Sequence, residues 1–359
     1  MVKENKILMT GGHAGATAYA LVSSLRKNKN YKFDIYFIGA KTATEATYNK
    51  TLEEEALPQL GVKFIAINAG RLQRKFTMHT LPSILKIPIG FIQSLWYVGR
   101  IKPNVVMSFG GFASYPVVLA AWLNNIPVVI HEQTAVYGRA NKFSERLATK
   151  IAISRQSSAS YFDLKKLQIT GNPVSPEIFN IKSKNRLPVK PTLFVTGGSR
   201  GSETINEVFV KILPKLVKNY NIIHQVGVAN EHKYTSKIGY EAIGRINPNI
   251  WAKYIDKADI IISRSGANIV SEILIAKRPS ILIPIPWSYM DEQSQNAKYA
   301  LKSGGVEIVN QKDLTPQTLF ETIVRVTKNW ASMNKKMQEF KSEDLYASDK
   351  LSNLIIDLL

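Results

Sequence analysis

Short apolar runs rich in β-branched residues alternate along the chain with segments of helical length. This alternation predicts strands joined through helices, which is the pattern of a parallel sheet with helices on both faces. The chain has 359 residues, enough for about two domains of ordinary size. We therefore expect an α/β fold with two domains.

One order of elements occurs twice. Strand-like residues 6–9 run into a Thr-Gly-Gly turn, and strand-like residues 192–195 run into a second Thr-Gly-Gly turn. A strand, a glycine turn, a helix and a further strand then follow at residues 105–130 and again at residues 260–282. Two similar doubly wound domains are the simplest explanation. Ligands are expected where the carboxyl ends of the strands of both domains face a shared cleft.

The turn Asn172-Pro173, followed by a Pro- and Lys-rich stretch with few large apolar residues, indicates the domain boundary. We expect a first domain at residues 1–170, a hinge at residues 171–191 and a second domain at residues 192–341. Residues 342–359 end in an apolar run, which predicts a helix that packs back on the first domain.

Composition limits the class of protein. The apolar fraction of 45% and the aromatic fraction of 9% are normal for a packed globular chain. The absence of cysteine excludes disulfides, thiolate metal sites and cysteine nucleophiles. The first residues run directly into a strand-like segment without an apolar signal sequence, so secretion is not expected.

Charge points to an anionic neighbour. Lys and Arg number 47 against 27 Asp and Glu, a net charge of +20, and no acidic residue occurs between Glu55 and Glu132. Within this stretch, residues 81–98 are apolar but contain Lys86 and two prolines, so they are not expected to span a bilayer. An interfacial segment on anionic lipid is expected, with a core helix as the open alternative. No nucleic-acid-binding motif accompanies the charge, so nucleic acid is not an expected partner.

Four glycine-containing turns between a strand and a helix are candidates for phosphate binding, because backbone N–H groups and the helix dipole attract anions there. Each turn taken alone equally needs glycine for steric reasons. Neither half has the dinucleotide fingerprint, and no ATP-hydrolysing P-loop is present, so phosphate recognition of another kind is needed. The turns lie at residues 11–12, 110–111, 197–201 and 265–267.

Glu272 follows Gly266 by six residues, under two helical turns. A carboxylate at this position can accept two hydrogen bonds from a ribose diol while the helix start binds the diphosphate. The alternative is that Glu272 lies on a solvated helix face.

Nearly the whole chain resembles the MurG family, bacterial transferases that add N-acetylglucosamine from its UDP derivative to undecaprenyl-diphosphate-linked muramyl pentapeptide. The resemblance implies the GT-B type of fold with two Rossmann-like domains, an inverting mechanism, no cofactor and no Asp-x-Asp metal motif; the chain contains no Asp-x-Asp. The motifs that carry it are Thr10-Gly11-Gly12-His13, Ser108-Phe109-Gly110-Gly111-Phe112, His131-Glu132-Gln133, Gly171-Asn172-Pro173-Val174, Gly197-Gly198-Ser199-Arg200-Gly201, Arg264-Ser265-Gly266 with Ser271-Glu272, and Asp291-Glu292-Gln293 with Asn296-Ala297.

The resemblance also implies roles for single residues. His13 is the candidate base that takes the proton of the acceptor hydroxyl, with a purely structural role in its turn as the alternative. The candidate donor-binding residues are Ser199, Arg200, Ile246, Arg264, Ser265, Gly266, Ala267, Asn268, Glu272 and Gln293. The candidate acceptor-binding residues are Thr10, Gly11, Gly12, Gly110, Gly111, His131, Glu132, Gln133 and Thr134; for His131 and Glu132 a loop-ordering role is an equal alternative.

Departures from the family pattern affect the diphosphate and acceptor contacts. Thr134 stands where the family has Asn, and Ser175 stands where it has an Arg that serves the diphosphate. Arg200 occupies a position where the family commonly has Gln, and our hypothesis is that it supplies the missing positive charge.

The expected function is transfer of N-acetylglucosamine from UDP-N-acetylglucosamine to a polyprenyl-diphosphate lipid acceptor by a peripheral enzyme on the cytoplasmic face of the plasma membrane. Two alternatives stay open: a related transferase acting on another lipid, and a non-catalytic subunit that binds nucleotide sugars.

Overall fold

The computed structural model describes most of the chain. Three of the candidate site residues, His13, Ser199 and Arg200, lie outside the described residues. The described ranges are residues 4–12, 14–40, 51–69, 80–198 and 201–359.

The chain divides into two compact units. The first combines Met1–Pro176 with Tyr346–Leu359, and the second is Glu177–Leu345. The turn at Asn172 and Pro173 therefore belongs to the first unit. Most of the stretch expected as a hinge belongs to the second unit, because Lys184 donates to the carboxylate of Asp259 at 2.7 Å and accepts at its carbonyl from Asn334.

The first unit is built on a parallel sheet. Its strands are β1 (Glu4–Thr10), β2 (Lys32–Ala40), β3 (Lys63–Ile67), β4 (Val105–Ser108), β5 (Val128–Glu132), β6 (Lys150–Ile153) and β7 (Leu167–Ile169). They lie in the order β3-β2-β1-β4-β5-β6-β7, and all their pairings are parallel. Its helices are α1 (Gly15–Lys27), α2 (Leu52–Ala56), α3 (Thr80–Ile101), α4 (Ser114–Leu123) and α5 (Arg139–Ser144).

The second unit repeats the plan. A short helix at the boundary, α6 (Pro176–Phe179), leads into it. Its strands are β8 (Thr192–Thr196), β9 (Asn221–Gln225), β10 (Tyr240–Ile243), β11 (Ile260–Ser263), β12 (Ser280–Leu282) and β13 (Val306–Ile308). They form a parallel sheet in the order β10-β9-β8-β11-β12-β13. Its helices are α7 (Glu203–Leu216), α8 (Pro248–Lys257), α9 (Ala267–Ala276), α10 (Glu292–Leu301) and α11 (Pro316–Glu339), and the chain ends with α12 (Ala347–Ile356) in the first unit.

Short segments of 3-10 helix, three to six residues long, complete the described structure. They occupy Leu57–Leu60, Glu145–Leu147, Gln156–Tyr161, Val228–Lys233, Tyr289–Asp291 and Gln311–Asp313.

The central strand β1 shows why the sheet is covered on both faces. Ile7, Leu8 and Met9 are all fully buried. Ile7 and Met9 point into one apolar cluster and Leu8 into a second, because successive side chains of a strand point to opposite faces. Such a continuous apolar run is typical of a parallel strand with helices on both sides. The α/β class expected from the sequence is confirmed.

The carboxyl-terminal helix α12 packs in the first of these clusters. Leu351, Leu354 and Ile355 are buried there together with residues of β1 and α1. Ser24 of α1 also donates to the carboxylate of Asp349 at 2.8 Å. The last helix is therefore part of the first unit.

Candidate active site

Each sheet contains two neighbouring strands whose connections lead to opposite sides of the sheet. In the first unit these strands are β1, which is followed by β2 on one side, and β4, which is followed by β5 on the other. In the second unit these strands are β8 and β11, whose last residues Thr196 and Ser263 are paired. Ligands of open α/β sheets bind at the carboxyl ends of strands at such a switch point. Most of the candidate donor residues follow these two strand ends, whereas Ile246 follows β10 and Gln293 follows β12.

The turn between β11 and α9 presents an open helix start. Gly266 is the residue that precedes α9, its backbone is extended (φ −63°, ψ 152°), and no side chain caps the helix there. A Cβ atom at Gly266 would meet no described atom within 4 Å. Helix α9 has ten residues, so its first N–H groups carry the positive end of a substantial dipole. This geometry suits a diphosphate.

The side chain of Ser265 supports the turn rather than facing outward. It is fully buried, and its hydroxyl donates to the backbone oxygen of Gln293 at 2.8 Å. Asn296 donates to the backbone oxygen of Ser265 at 3.1 Å. Contacts from α10 thus fix the turn. The Ser265 hydroxyl, expected from the family to bind the donor diphosphate, is engaged within the protein.

Arg264 joins the two strand ends. It is 7% exposed, and its guanidinium donates to the Ser202 hydroxyl at 2.8 Å and to the Ile283 backbone oxygen at 3.1 Å. Burial lowers the pKa of Arg264 to about 10, which still leaves it charged near neutral pH. Because Ser202 caps α7, this charge holds the start of that helix beside the β11 turn.

Glu272 lies on α9 and is buried, with 9% of its surface exposed. The alternative that it sits on a solvated helix face is therefore wrong. Its Oε2 atom accepts a hydrogen bond from the indole of Trp251 at 2.7 Å. Burial raises the pKa of Glu272 to about 7, and the indole N–H opposes that rise.

Sequence reasoning missed Trp251. The residues Asn247 and Pro248 form a recognisable helix start, and Asn247 does cap α8. That signal locates the helix but not the partner of the indole, because Glu272 is 21 residues further along the chain. Ile246, the candidate uracil contact, has a buried side chain just before this helix start. Helix α8 separates it from β11.

The glycine loop after β8 needs its glycines for steric reasons. Gly198 and Gly201 have φ values of +86° and +72°, which L-residues with a side chain rarely adopt. A Cβ atom at Gly201 would lie 2.1 Å from the backbone oxygen of Val226. Asn206 donates to the same oxygen at 2.9 Å, so the end of β9 supports the loop.

Gln293 near the start of α10 is hydrogen-bonded within the protein through its side chain and its backbone N–H, which donates to the Ser288 hydroxyl at 3.1 Å. Its side-chain oxygen accepts from the Ile285 backbone N–H at 3.1 Å. Met290 and Asp291 immediately before α10 have φ values of +51° and +55°. Two consecutive residues other than glycine in this region are uncommon, and such strain clusters at ligand-binding segments.

In the first unit, the two glycine turns after β1 and β4 contact each other. The Gly12 N–H donates to the Gly110 oxygen at 2.9 Å, and the Phe109 N–H donates to the Thr10 oxygen at 2.9 Å. A Cβ atom at Gly111 would lie 2.6 Å from the Gly12 nitrogen. Close approach of two backbones accounts for Gly111, and the Gly12 N–H is engaged within the protein.

His131 and Glu132 at the end of β5 have buried side chains, 0% and 3% exposed. The Nε2 atom of His131 lies 3.0 Å from the Gly171 oxygen, so this nitrogen carries the proton and donates. Glu132 accepts from the N–H and hydroxyl of Thr134 and, at 2.7 Å, from the Gly138 N–H. The geometry favours the loop-ordering role for both over direct contact with an acceptor.

Gln133 links this loop to α1, since its side-chain oxygen accepts from the Thr17 hydroxyl at 3.1 Å. Burial is the largest influence on Glu132 and raises its pKa, while its hydrogen bonds oppose the rise. The loop is thus hydrogen-bonded to α1 through Gln133 and to the residue that precedes α5 through Glu132.

Helix α3 exposes an apolar face. Ile89, Ile92 and Trp96 are 48%, 66% and 55% exposed, and the guanidinium of Arg100 lies over the Trp96 ring at 5.1 Å. The four positions share one face at helical spacing. Ser94, on the opposite face, is fully buried. The alternative in which the aromatic residues pack inward is therefore wrong for Trp96.

Within the described ranges, no helix combines the length and apolar character that a membrane span requires. The same part of the chain contains no group of three or more His, Cys, Asp and Glu side chains that would suit a metal ion.

The comparisons with known proteins define the class first. Residues 8–153 match the glycosyltransferase family 28 N-terminal domain, and residues 192–351 match the glycosyltransferase family 28 C-terminal domain. Together with the two parallel sheets, these matches define a glycosyltransferase of the GT-B type.

The relatives then give the family. The UDP-N-acetylglucosamine–N-acetylmuramyl-(pentapeptide) pyrophosphoryl-undecaprenol N-acetylglucosamine transferase of Clostridium kluyveri is 32% identical over 98% of this chain and 98% of its own length. The transferase of the same name from Clostridium novyi is 31% identical over 98% of both chains. The chain belongs to this family of transferases.

Solved structures agree on the fold. MurG of Acinetobacter baumannii superposes with a TM-score of 0.71 at 23% identity, covering 98% of this chain and 99% of its own. The UDP-GlcNAc 2-epimerase of Neisseria meningitidis bound to UDP-GlcNAc gives a TM-score of 0.69 at 14% identity, covering 98% and 100%. At these identities the likeness is one of fold.

Proposed function

We propose that this chain transfers N-acetylglucosamine from UDP-N-acetylglucosamine to an undecaprenyl-diphosphate-linked N-acetylmuramyl pentapeptide, a step of peptidoglycan synthesis. Family membership over nearly the full length supports this activity. The structural observation that carries it is the uncapped start of α9 at Gly266 with the buried carboxyl group of Glu272 on the same helix. One helix thus offers groups for a diphosphate and for a ribose.

The donor binds to the second unit in this proposal. The start of α9 receives the diphosphate, Glu272 accepts from the ribose hydroxyls, and backbone groups around Ile246 contact the uracil. Gln293 contacts the sugar hydroxyls. As the bond between the sugar and the diphosphate breaks, negative charge grows on the UDP oxygen, and the fixed dipole of α9 stabilises it.

The acceptor hydroxyl attacks the sugar carbon from the side opposite the leaving UDP, which inverts the configuration. His13 takes the proton of that hydroxyl, a role for which an imidazole is suited near neutral pH. The first unit holds the acceptor next to the glycine turns after β1 and β4. His131 and Glu132 act there by ordering the loop, not by touching the acceptor.

The test is a transfer assay with UDP-N-acetylglucosamine and a panel of lipid acceptors, which follows release of UDP and the glycosylated lipid. We expect product with the muramyl pentapeptide lipid and loss of turnover in His13→Ala. Product on diacylglycerol alone would favour the related glycolipid transferase. Tight binding of the nucleotide sugar with no product on any acceptor would favour the non-catalytic subunit.

Gly266→Ala tests the diphosphate contact. The added methyl group meets no described atom and the backbone is extended, so stability should be unchanged while the KM for the donor rises. Gly99→Ala in α3 is a matched control, because a Cβ atom there also meets no described atom within 4 Å. An unchanged donor KM in Gly266→Ala would place the diphosphate elsewhere.

The hypothesis about Arg200 belongs to the same proposal. Arg200 supplies the positive charge that Ser175 leaves missing, so Arg200→Gln should raise the KM for the donor or the acceptor. The double variant with Ser175→Arg should recover affinity. Unchanged KM values and turnover in Arg200→Gln would contradict this role.

The proposed location is the cytoplasmic face of the plasma membrane, with the exposed face of α3 on anionic lipid. Ile92→Ser and Trp96→Ser should each weaken binding to anionic vesicles by roughly 10- to 100-fold, since burying such a side chain contributes roughly 1.5–3 kcal/mol. Ile238→Ser is the control, because Ile238 is 99% exposed in the second unit. Equal losses in all three variants would refute docking through α3.

A further inference from the structure

Trp251 and Glu272 form one hydrogen-bonded pair in the second unit. The indole Nε1 atom lies 2.7 Å from Oε2 of the carboxyl group, a short distance typical of a charge-assisted bond. Trp251 lies in the first half of α8 and Glu272 in the middle of α9. The pair therefore connects the helix that follows the candidate uracil segment with the helix that starts at the candidate diphosphate site.

The indole is held in place independently of Glu272. Its ring packs edge-on against Phe194 of β8, with the ring centroids 5.4 Å apart, and Phe194 is fully buried. Tyr254, one helical turn further on, stacks on the same Phe194 ring at 6.2 Å. The direction of the indole N–H is thus set by the core of the sheet.

The hydrogen bond from Trp251 engages only one of the two carboxylate oxygens of Glu272. An indole has one N–H donor and no acceptor atom, so it fixes that oxygen and makes no further hydrogen bond. Within the part of the chain that the structure describes, the Oε1 atom of Glu272 forms no hydrogen bond, and Glu272 has no salt bridge. Because Oε2 is fixed by the indole, the Oε1 atom points in a defined direction and can accept from a ligand.

We infer that Trp251 is a positioning residue that aims the free oxygen of Glu272 at the ribose hydroxyls of the nucleotide. This inference rests on the proposed function, which assigns the ribose to Glu272. Without the indole, the carboxyl group would rotate, and burial would favour its neutral form, which accepts hydrogen bonds less well. Trp251 thereby contributes to recognition of a ribonucleotide without touching it.

The experiment compares the affinities of UDP and 2′,3′-dideoxy-UDP by calorimetry. We expect the wild-type chain to prefer UDP on the order of tenfold, the size expected for hydrogen bonds to a charged group. Trp251→Phe keeps an aromatic ring on Phe194 but lacks the N–H, so the preference should shrink to about threefold or less with the affinity for the dideoxy compound unchanged. Trp251→His, which restores a ring N–H, should recover part of it.

Trp330→Phe is the matched control. The Trp330 indole donates to the backbone oxygen of Asp259 at 2.9 Å in the same unit, so this variant also loses one indole hydrogen bond. Its preference for UDP should equal that of the wild-type chain. Glu272→Gln should reduce the preference at least as far as Trp251→Phe.

The outcomes separate this inference from the proposed function. If Glu272→Gln removes the preference while Trp251→Phe keeps it, or if Trp251→Phe weakens both ligands equally, the positioning role is overturned. If the wild-type chain binds both compounds equally, Glu272 does not contact the ribose and this inference falls, while transfer of the sugar stays open to its own assay. If UDP does not bind, the proposed function itself fails.

Discussion

Titration of Glu272 should make the stability of the chain depend on pH in a defined direction. Burial raises its pKa in the folded chain from 4.5 to about 7, whereas the unfolded chain keeps the ordinary value. The folded state therefore binds the proton more tightly. The stabilisation is fully present below about pH 4.5 and is lost as the pH rises through about 7, and the gap between the two values corresponds to roughly 3 kcal/mol of folding free energy.

The variant that isolates this effect is Glu272→Gln. Glutamine cannot ionise, yet its side-chain oxygen can still accept from Trp251. We expect the free energy of unfolding of the variant, relative to wild type, to increase by roughly 3 kcal/mol between pH 4.5 and pH 8. Urea unfolding at several pH values measures this difference. Glu177→Gln, which removes one carboxyl group at an exposed position, is the matched control.

Parallel pH profiles of wild type and Glu272→Gln would refute the reasoning, because they would mean that the carboxyl group ionises equally well in both states. The same titration predicts a link to ligand binding. Ribose hydroxyls donate to the ionised carboxylate, so the affinity of the wild-type chain for UDP should fall as the pH drops below about 7. The affinity of Glu272→Gln should lack the contribution of the carboxylate and keep only the dependence that comes from the UDP phosphate, whose second pKa is about 6.

Three further variants test packing by urea unfolding, two of them next to the candidate sites and one, Arg278→Lys, at the amino end of β12. Gly201→Ala should lower the free energy of unfolding by about 2 kcal/mol, because the methyl group would lie 2.1 Å from the Val226 oxygen at a φ of +72°; a change near zero would show that the loop shifts freely. Arg278→Lys should lower it by about 3 kcal/mol, because the fully buried guanidinium donates to several carbonyl groups including that of Lys182, which an ammonium cannot match. Glu132→Gln should lower it by about 2 kcal/mol, since an amide N–H would then face donors; unchanged stability would argue against the loop-ordering role.

The order of the elements was predictable from the sequence because it depends on local pattern. The runs Ile7-Leu8-Met9 and Ile260-Ile261-Ile262 are apolar without interruption, which a parallel strand buried on both faces requires. Glycine turns at the ends of these strands mark the starts of the following helices. The repetition of this pattern predicts two domains of the α/β class, and the structure confirms the α/β class.

Long-range contacts of polar side chains were not predictable in the same way. His131 near the end of an apolar strand has the pattern of a ligand-binding residue. It is nevertheless fully buried, and its ring donates to the Gly171 oxygen, forty residues away in sequence. In the sequence, the position of Glu272 is equally consistent with a solvated and with a functional residue. The structure shows that it is buried and accepts from Trp251. Periodicity reports that a position is buried, but it does not report which polar partner makes the burial tolerable.

The donor half of the proposal links folding to binding through one helix. The start of α9 has no capping side chain, and Glu272 in its middle is buried with one fixed oxygen and a raised pKa. Both features lower the stability of the folded chain when no ligand is bound. A nucleoside diphosphate would supply partners for both, since its phosphates accept from the N–H groups at the helix start and its ribose donates to the carboxylate. A ligand that binds only the folded state stabilises it by a free energy that grows with the logarithm of its affinity. Stabilisation by UDP should therefore weaken in both Gly266→Ala and Trp251→Phe, and by separate contacts, so the two losses should be additive in the double variant.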